Sequence, residues 1–224
     1  MKRTILFIAL LLSMPPLIAD DFGFRFGIKT SPNLSWFRTE TRGYENNGVA
    51  LGFSYGLVAD YEFAQNYAIG SGFNIVRTGG TLRYNYIHEG FPTQKRRDYS
   101  YRYLEFPLTL KLKTSEVGFI TYYGQFGVGL SFNTRARADQ RIALGNGSSL
   151  RTTDVDISDE TRFLKGALII GGGLEYNFGG RTSLLAGLTF HNGFSNVLSV
   201  DNPAVQATPS AVSNYLEMTL GVLF

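Results

Sequence analysis

The chain has two histidines, and one of them, His191, lies four positions before Ser195. A base and a hydroxyl at that separation are the raw material of acyl-transfer chemistry, but such a pair also needs close contact and an orienting carboxylate. The local spacing ensures neither, so no catalytic residue is expected here, and His88 is equally unremarkable. Asp154, Asp156, Ser158, Asp159 and Glu160 carry oxygen ligands at calcium-like intervals. They lack the turn glycine and the closing bidentate glutamate of a calcium loop, so a solvated acidic loop is expected, with no metal. Gly171-Gly172-Gly173 lies inside a strand pattern with no helix after it and is no phosphate loop. Cysteine is absent, which excludes disulfides, thiolate metal sites and acylation of an N-terminal cysteine. No cofactor is expected.

Charged residues with a common spacing are the more informative set. Arg25, Lys29, Asp60, Glu105, Lys111, Lys165, Glu175 and Glu217 each fall on the polar face of a two-residue alternation, so the strands that position them define their role. Eight such strands are readable. They begin with Phe22 to Lys29, Leu51 to Tyr61, and Tyr67 to Ile75, the third continuing past Gly79-Gly80 toward Tyr86 with a bulge or bend at the glycines. Leu104 to Lys113 follows, with an irregularity expected where the alternation slips at Tyr103-Leu104. Tyr122 to Phe132, Leu164 to Phe178 and Leu184 to Phe190 come next. In the last strand Leu216, Met218, Leu220, Val222 and Phe224 share one face, and Tyr215, Glu217, Thr219 and Gly221 the other.

Short connections near 63–66, 114–116 and 179–181 alternate with long ones near 33–48, 88–98, 133–160 and 191–212. That rhythm, with strands of roughly 9 to 11 residues, is the pattern of an all-β, eight-stranded antiparallel up-and-down transmembrane barrel of outer-membrane type. A soluble lipocalin-like barrel would point its apolar face inward. Here the almost uncharged face would be sticky in water, and the other holds too many glycines for a hydrated exterior. Lys2 and Arg3, the apolar run Ile5 to Leu12, and Pro15-Pro16 before Ala19 read as a signal peptide over 1–19, leaving 20–224 as one barrel domain. The formal charge of +3 is dispersed, which leaves no nucleic-acid footprint.

An eight-stranded barrel is filled by its own side chains, so the eight inner charges are expected to pair within a polar core. Arg25 and Asp60 fall near the periplasmic ends of neighbouring strands, and Lys29 and Glu217 face each other across the closing seam. A water-filled pore is disfavoured by strand number. In the third long connection Arg135, Arg137, Arg141, Arg151 and Arg162 would stand near the membrane surface, where lipopolysaccharide phosphates are candidate ligands. The final strand with its aromatic last residue resembles the signal read by the barrel-assembly machinery, and lipid of the outer membrane is the expected surrounding. A monomer is expected.

Gly27-Ile28-Lys29 with Asn33-Leu34-Ser35, Tyr103-Leu104-Glu105-Phe106-Pro107-Leu108, Tyr123 to Gly129 and Gly171 to Tyr176 together resemble the PorT-like outer-membrane barrel proteins of bacteroidete-type bacteria. The resemblance spans the mature chain and departs at Thr30-Ser31, where a glycine would follow the lysine, and in the length of the third long connection. It implies an eight-stranded barrel with a structural or interaction role, as an accessory component of a protein-secretion system. The alternatives are a lipid-modifying enzyme, as some barrels of this size are, and a surface adhesion or ligand-binding barrel.

Overall fold

The computed structural model describes residues 23–144, 147–199, 202, 204 and 209–224; the expected signal peptide lies outside them. Its strands are β1 (Phe24–Thr39), β2 (Tyr44–Gly48), β3 (Ala50–Ala64), β4 (Tyr67–His88), β5 (Phe91–Lys113), β6 (Ile120–Ala143), β7 (Ser149–Asp156), β8 (Leu164–Gly179), β9 (Thr182–Gly193) and β10 (Ala211–Leu223). Eight of them, β1, β3, β4, β5, β6, β8, β9 and β10, pair antiparallel in that cyclic order, and β10 returns to β1 with Ile28 opposite Val222 and Leu34 opposite Leu216. Closure leaves no free edge, so the backbone polar groups of the wall are satisfied without water. β2 and β7 add to β4 and β6 beyond the barrel's long end.

The exterior of the lower wall is an apolar girdle. Phe26, Ile28, Leu57, Leu108, Phe126, Ile170, Leu188, Met218 and Leu220 all stand exposed, the reverse of a water-soluble fold. Aromatic rings collect at its short-turn rim, where Phe24 packs on Tyr61 at 4.8 Å and Tyr176 on Phe178 at 5.3 Å. At the other rim Trp36 stacks on Phe190 and Phe132 meets Phe163. Nine residues of β5, Leu104 to Leu112, cross between the rims, the length a tilted strand needs for a bilayer's hydrocarbon.

Above the girdle the polarity of the same strand reverses. In β5 the inward residues are Glu105, Thr109 and Lys111 below, but Tyr99, Tyr101 and Tyr103 above, all buried. Outward, Leu104 to Leu112 give way to Arg102, Asp98 and Arg96. The strand stays in one register with β4 throughout, from Tyr67 opposite Leu112 to His88 opposite Phe91. What changes is the medium outside the wall, from hydrocarbon to water. The slip at Tyr103-Leu104 is therefore a change of solvent along β5, and the backbone irregularity sits on its partner. Tyr103 pairs with Asn133 but Arg102 with Arg135, so β6 holds one extra residue, Thr134. That bulge turns Ala136 and Ala138 inward, where both are buried, and Arg135 and Arg141 outward.

Three connections read as long loops are largely strand. The segment 88–98 is a hairpin closed by Glu89 and Gly90 at φ 50° and 86°, a two-residue turn with both residues left-handed. The segment 133–160 holds the top of β6, β7 and a short 3-10 turn at Ser158–Glu160, and 33–48 holds the end of β1 and β2. No bulge occurs at Gly79-Gly80, which pair regularly with Ser100 and Tyr99. Gly80 is required because a Cβ there would lie 2.7 Å from the Phe37 ring. Polar alternation without a girdle's apolar run reads as loop, although strands continue in water when a second layer of side chains packs behind them.

Deleting Thr134 should turn the bulge into regular alternation, with Asn133 opposite Tyr103, Arg135 opposite Arg102, and Ala136 and Ala138 still inward. The expected result is a chain that keeps boiling-dependent gel mobility and whose upper strands resist added protease; upper strands cut by protease would refute the assignment of the bulge.

Candidate functional site

The barrel interior below the rim is a lattice of ion pairs, built because every second residue of each strand points there. Lys111 Nζ lies 2.5 Å from Asp60 Oδ2. Arg25 Nη1 lies 2.6 Å from Glu175 Oε2 and 3.5 Å from Glu62 Oε1. Lys113 Nζ bridges the same two carboxylates at 3.0 and 2.7 Å. Across the seam, Lys29 Nζ meets Glu217 Oε1 at 2.9 Å, and Ser54 Oγ donates to Glu217 Oε2 at 2.9 Å. Glu105 Oε2 accepts from Tyr215 Oη at 2.8 Å and Ser131 Oγ at 3.1 Å. Although Arg25 and Asp60 are directly opposite, they do not pair with each other: Arg25 turns to Glu175 and Asp60 to Lys111. Among the described residues Lys165 forms no ion pair; its Nζ sits 4.9 Å from the ring centres of both Tyr103 and Tyr215.

Glu62 and Lys113 belong to this lattice and were missed. Each lies two residues beyond a recognised member, Asp60 and Lys111, so continuing the alternation would have found them. His191, near the upper end of the seventh barrel strand as expected, also joins these buried groups. Its ring is 2% exposed, stacked on Tyr215 at 4.0 Å, with Nδ1 3.7 Å from Glu105 and Nε2 3.5 Å from Glu217. Those separations exceed hydrogen-bond length and act as electrostatic contacts. Ser195 is engaged elsewhere, accepting from the Gly166 N–H at 2.9 Å. A pocket of about 50 Å³ among Lys29, Asp60, Lys111, His191 and Glu217 has room for a few waters.

Above the lattice, the expected polar interior is replaced by an aromatic core. Phe37 meets Tyr99 edge-on at 5.4 Å and Tyr101 at 6.1 Å, and Tyr103, Leu82, Ile157, Val197, Leu198 and Tyr215 pack in the same cluster. Beside it a chamber of about 250 Å³ opens between Tyr44, Tyr84, Tyr99, Lys95, Arg97 and Asn202. Tyr44 and Tyr84 stack at 4.5 Å, Asn202 Nδ2 donates to Tyr44 Oη at 3.0 Å, and Arg97 is paired with Glu160. Lys95 Nζ lies 4.6 Å over the Tyr86 ring. Burial, reinforced by the neighbouring Arg97 charge and only partly offset by Glu160, pulls the Lys95 ammonium down to about 8.

A closed antiparallel ladder with an apolar exterior and an ion-paired interior is a membrane-spanning arrangement. The family described as outer membrane protein beta-barrel domain matches residues 19–199. The chain belongs to that family. Among solved structures, this barrel is similar to the outer membrane protein OprG from Pseudomonas aeruginosa, at 11% identity and a TM-score of 0.51, covering 91% of this chain and 97% of that one. Neisserial surface protein A matches at 16% identity and 0.44, covering 88% and 95%. The N-terminal β-barrel domain of Pseudomonas aeruginosa OprF matches at 12% and 0.41, covering 91% and 100%. These likenesses are of fold. None of the curated proteins matches the sequence. Membership puts the barrel in the outer membrane, with short turns toward the periplasm and the long end outside.

The acidic loop is not gathered around one point. Asp154 pairs with Arg137, Asp156 Oδ1 accepts from the Ser158 N–H at 3.0 Å, and Glu160 holds Arg97. Arg162 Nε donates to the Leu198 carbonyl. In β10, Leu216, Met218 and Leu220 face the lipid, Val222 is half-buried on that face, and Phe224 exchanges two backbone hydrogen bonds with Phe26.

Two outcomes follow from this geometry. Glu217→Leu strands Lys29 without its partner, and should cost about 3–5 kcal/mol, read as a lower heat-unfolding temperature; Lys29→Met added to it should restore most of the loss. Lys95→Met should raise the unfolding temperature of the barrel at pH 7. The buried charge opposes folding fully below pH 8, and the penalty fades as pH rises toward the unfolded lysine's ~10.4. The gain should therefore vanish near pH 11, and a pH-independent gain would point to packing instead.

Proposed function

We propose that this barrel is a non-conducting, non-catalytic anchor that holds a tall extracellular β-wall for interaction with another envelope component. The interior supports that reading most directly, because ion pairs fill its lower half and buried aromatic rings its upper half. A nonporous barrel contributes through its surfaces, and most of the chain outside the bilayer is the extension of β4, β5 and β6 with β2 and β7. By its PorT-like resemblance, the partner would be part of a protein-secretion machine, with this chain a monomeric accessory. Leu216, Met218, Leu220, Val222 and Phe224 would serve as the segment read by the barrel-assembly machinery. A lipid-modifying role has little support, since His191 is buried between carboxylates and Ser195 is occupied by a backbone amide.

A ligand-binding surface barrel is a second reading, favoured by the chamber at the mouth. Stacked tyrosine faces beside Lys95, Arg97 and Asn202 suit a planar or sugar-like anionic ligand.

In planar bilayers the purified barrel should show no stable conductance, and Tyr101→Ala with Tyr103→Ala should stay closed, because the ion-paired lattice still fills the lower half. Steady channels in the unmodified protein would end the anchor reading. Shortening the hairpin around Glu89-Gly90 should abolish co-purification of envelope partners and alter the secreted protein set if the secretion role holds; an unchanged set would remove it.

A further inference from the structure

The extracellular wall carries its arginines in rows. Arg77 stands directly opposite Arg102, and Arg102 opposite Arg135, across β4, β5 and β6. Immediately below them the aligned residues are Ile75, Leu104 and Phe132, the top of the apolar girdle. Two residues of strand rise about 7 Å, so the row lies at headgroup height. A second row, Arg83, Arg96, Arg141 and Arg151, crosses β4 to β7 farther out.

Like charges directly opposite each other destabilise a sheet, so each row calls for anions. In the outer row two of the four arginines have their own: Arg83 meets Glu45 at 2.5 Å and Arg96 meets Asp98 at 3.4 Å. Arg137, between the rows, is paired with Asp154. The guanidinium groups of Arg77, Arg102 and Arg135 make no side-chain hydrogen bond or ion pair among the described residues, although Arg135 is near enough to Asp156 to act on its carboxylate through space. The three arginines line a groove of about 410 Å³ together with Ser100, Arg137 and the carboxylates of Asp98, Asp139 and Asp154, the last of which is taken up by Arg137. In β6 the bulging of Thr134 out of the alternation is what keeps Arg135 on the outer face.

We propose that this lower row binds the phosphate groups of a phosphorylated glycolipid in the outer leaflet. Guanidinium forks take phosphate oxygens two at a time, and the aligned spacing presents several forks to one headgroup. Two phosphate monoesters carry about three to four negative charges at neutral pH, matching Arg77, Arg102, Arg135 and the shared Arg137. Beneath, Phe106, Phe132 and Phe163 give the acyl chains an apolar wall, two of them exposed. Above, Asp98 directly opposite Asp139 repels anions and keeps the phosphates at the lower row.

Native mass spectrometry of the detergent-purified barrel tests this with bis-phosphorylated lipid A, its dephosphorylated form, and inorganic phosphate as competitor. The expected result is a one-to-one adduct with the bis-phosphorylated lipid, weakened about tenfold or more by Arg102→Gln and lost in Arg77→Gln/Arg102→Gln/Arg135→Gln. Arg96→Gln/Arg141→Gln/Arg151→Gln removes the same charge and should keep the adduct. Boiling-dependent mobility certifies folding; if the lower triple variant fails to fold, single Arg77→Gln and Arg102→Gln decide. Equal binding of dephosphorylated lipid, or equal loss in both triple variants, overturns the proposal. Displacement by millimolar phosphate would make the row a free-phosphate site and overturn the lipid assignment.

Discussion

The wall of this protein crosses from hydrocarbon into water in mid-strand, and the rest of the structure depends on that crossing. Backbone groups must be paired on both sides of the boundary, in lipid because no water can replace a hydrogen bond and in water because the upper strands bury their inner face. One continuous ladder meets both demands. The side chains then sort by medium: leucine and phenylalanine outside and charge inside below the Ile75–Leu104–Phe132 row, arginine and aspartate outside and tyrosine inside above it. β5 performs this inversion without changing register, whereas β6 bulges Thr134 out to keep its own alternation in agreement.

Burying charge inside the lower barrel is costly unless every group has a counter-charge. The chain meets that condition by weaving partners between non-neighbouring strands. Arg25 of β1 reaches Glu175 of β8, and Lys113 of β5 reaches the same carboxylate. Such cross-lumen pairs tie opposite sides of the wall together, which direct cross-strand pairs would not do. Lys165 is the exception, held against two tyrosine rings near Glu105, so it sits where the ionic lattice passes into the aromatic core. The same replacement of polar by aromatic filling leaves the interior closed at two heights by different chemistry.

The extracellular wall is where surface chemistry has been left uncompensated. Of its arginines, Arg83 and Arg96 are answered by Glu45 and Asp98, while Arg77 and Arg102 at headgroup height form no ion pair among the described residues. The mouth chamber shows a second kind of incompleteness, with Lys95 buried against a ring and lacking an anionic partner of its own. Both features lie outside the bilayer, where a barrel of this kind meets other molecules.

The alternation of apolar and polar residues was enough to define eight staves, their antiparallel closure and the membrane-facing side, because in a membrane barrel each strand's pattern reports its own surroundings directly. The eight inner charges were legible for the same reason, and so was the Lys29–Glu217 approach across the seam. Which carboxylate each base takes was not legible. Arg25 bypasses Asp60 because lumen partners are chosen by side-chain reach across the interior, a distance that sequence order does not encode. Nor could the sequence reveal that three of the long connections are largely strand, since tyrosine and arginine alternating above the girdle resemble loop until the second layer behind them is seen. The arginine row likewise exists only through register: Arg77, Arg102 and Arg135 are distant in the chain, and it is the ladder, with its one-residue bulge, that aligns them.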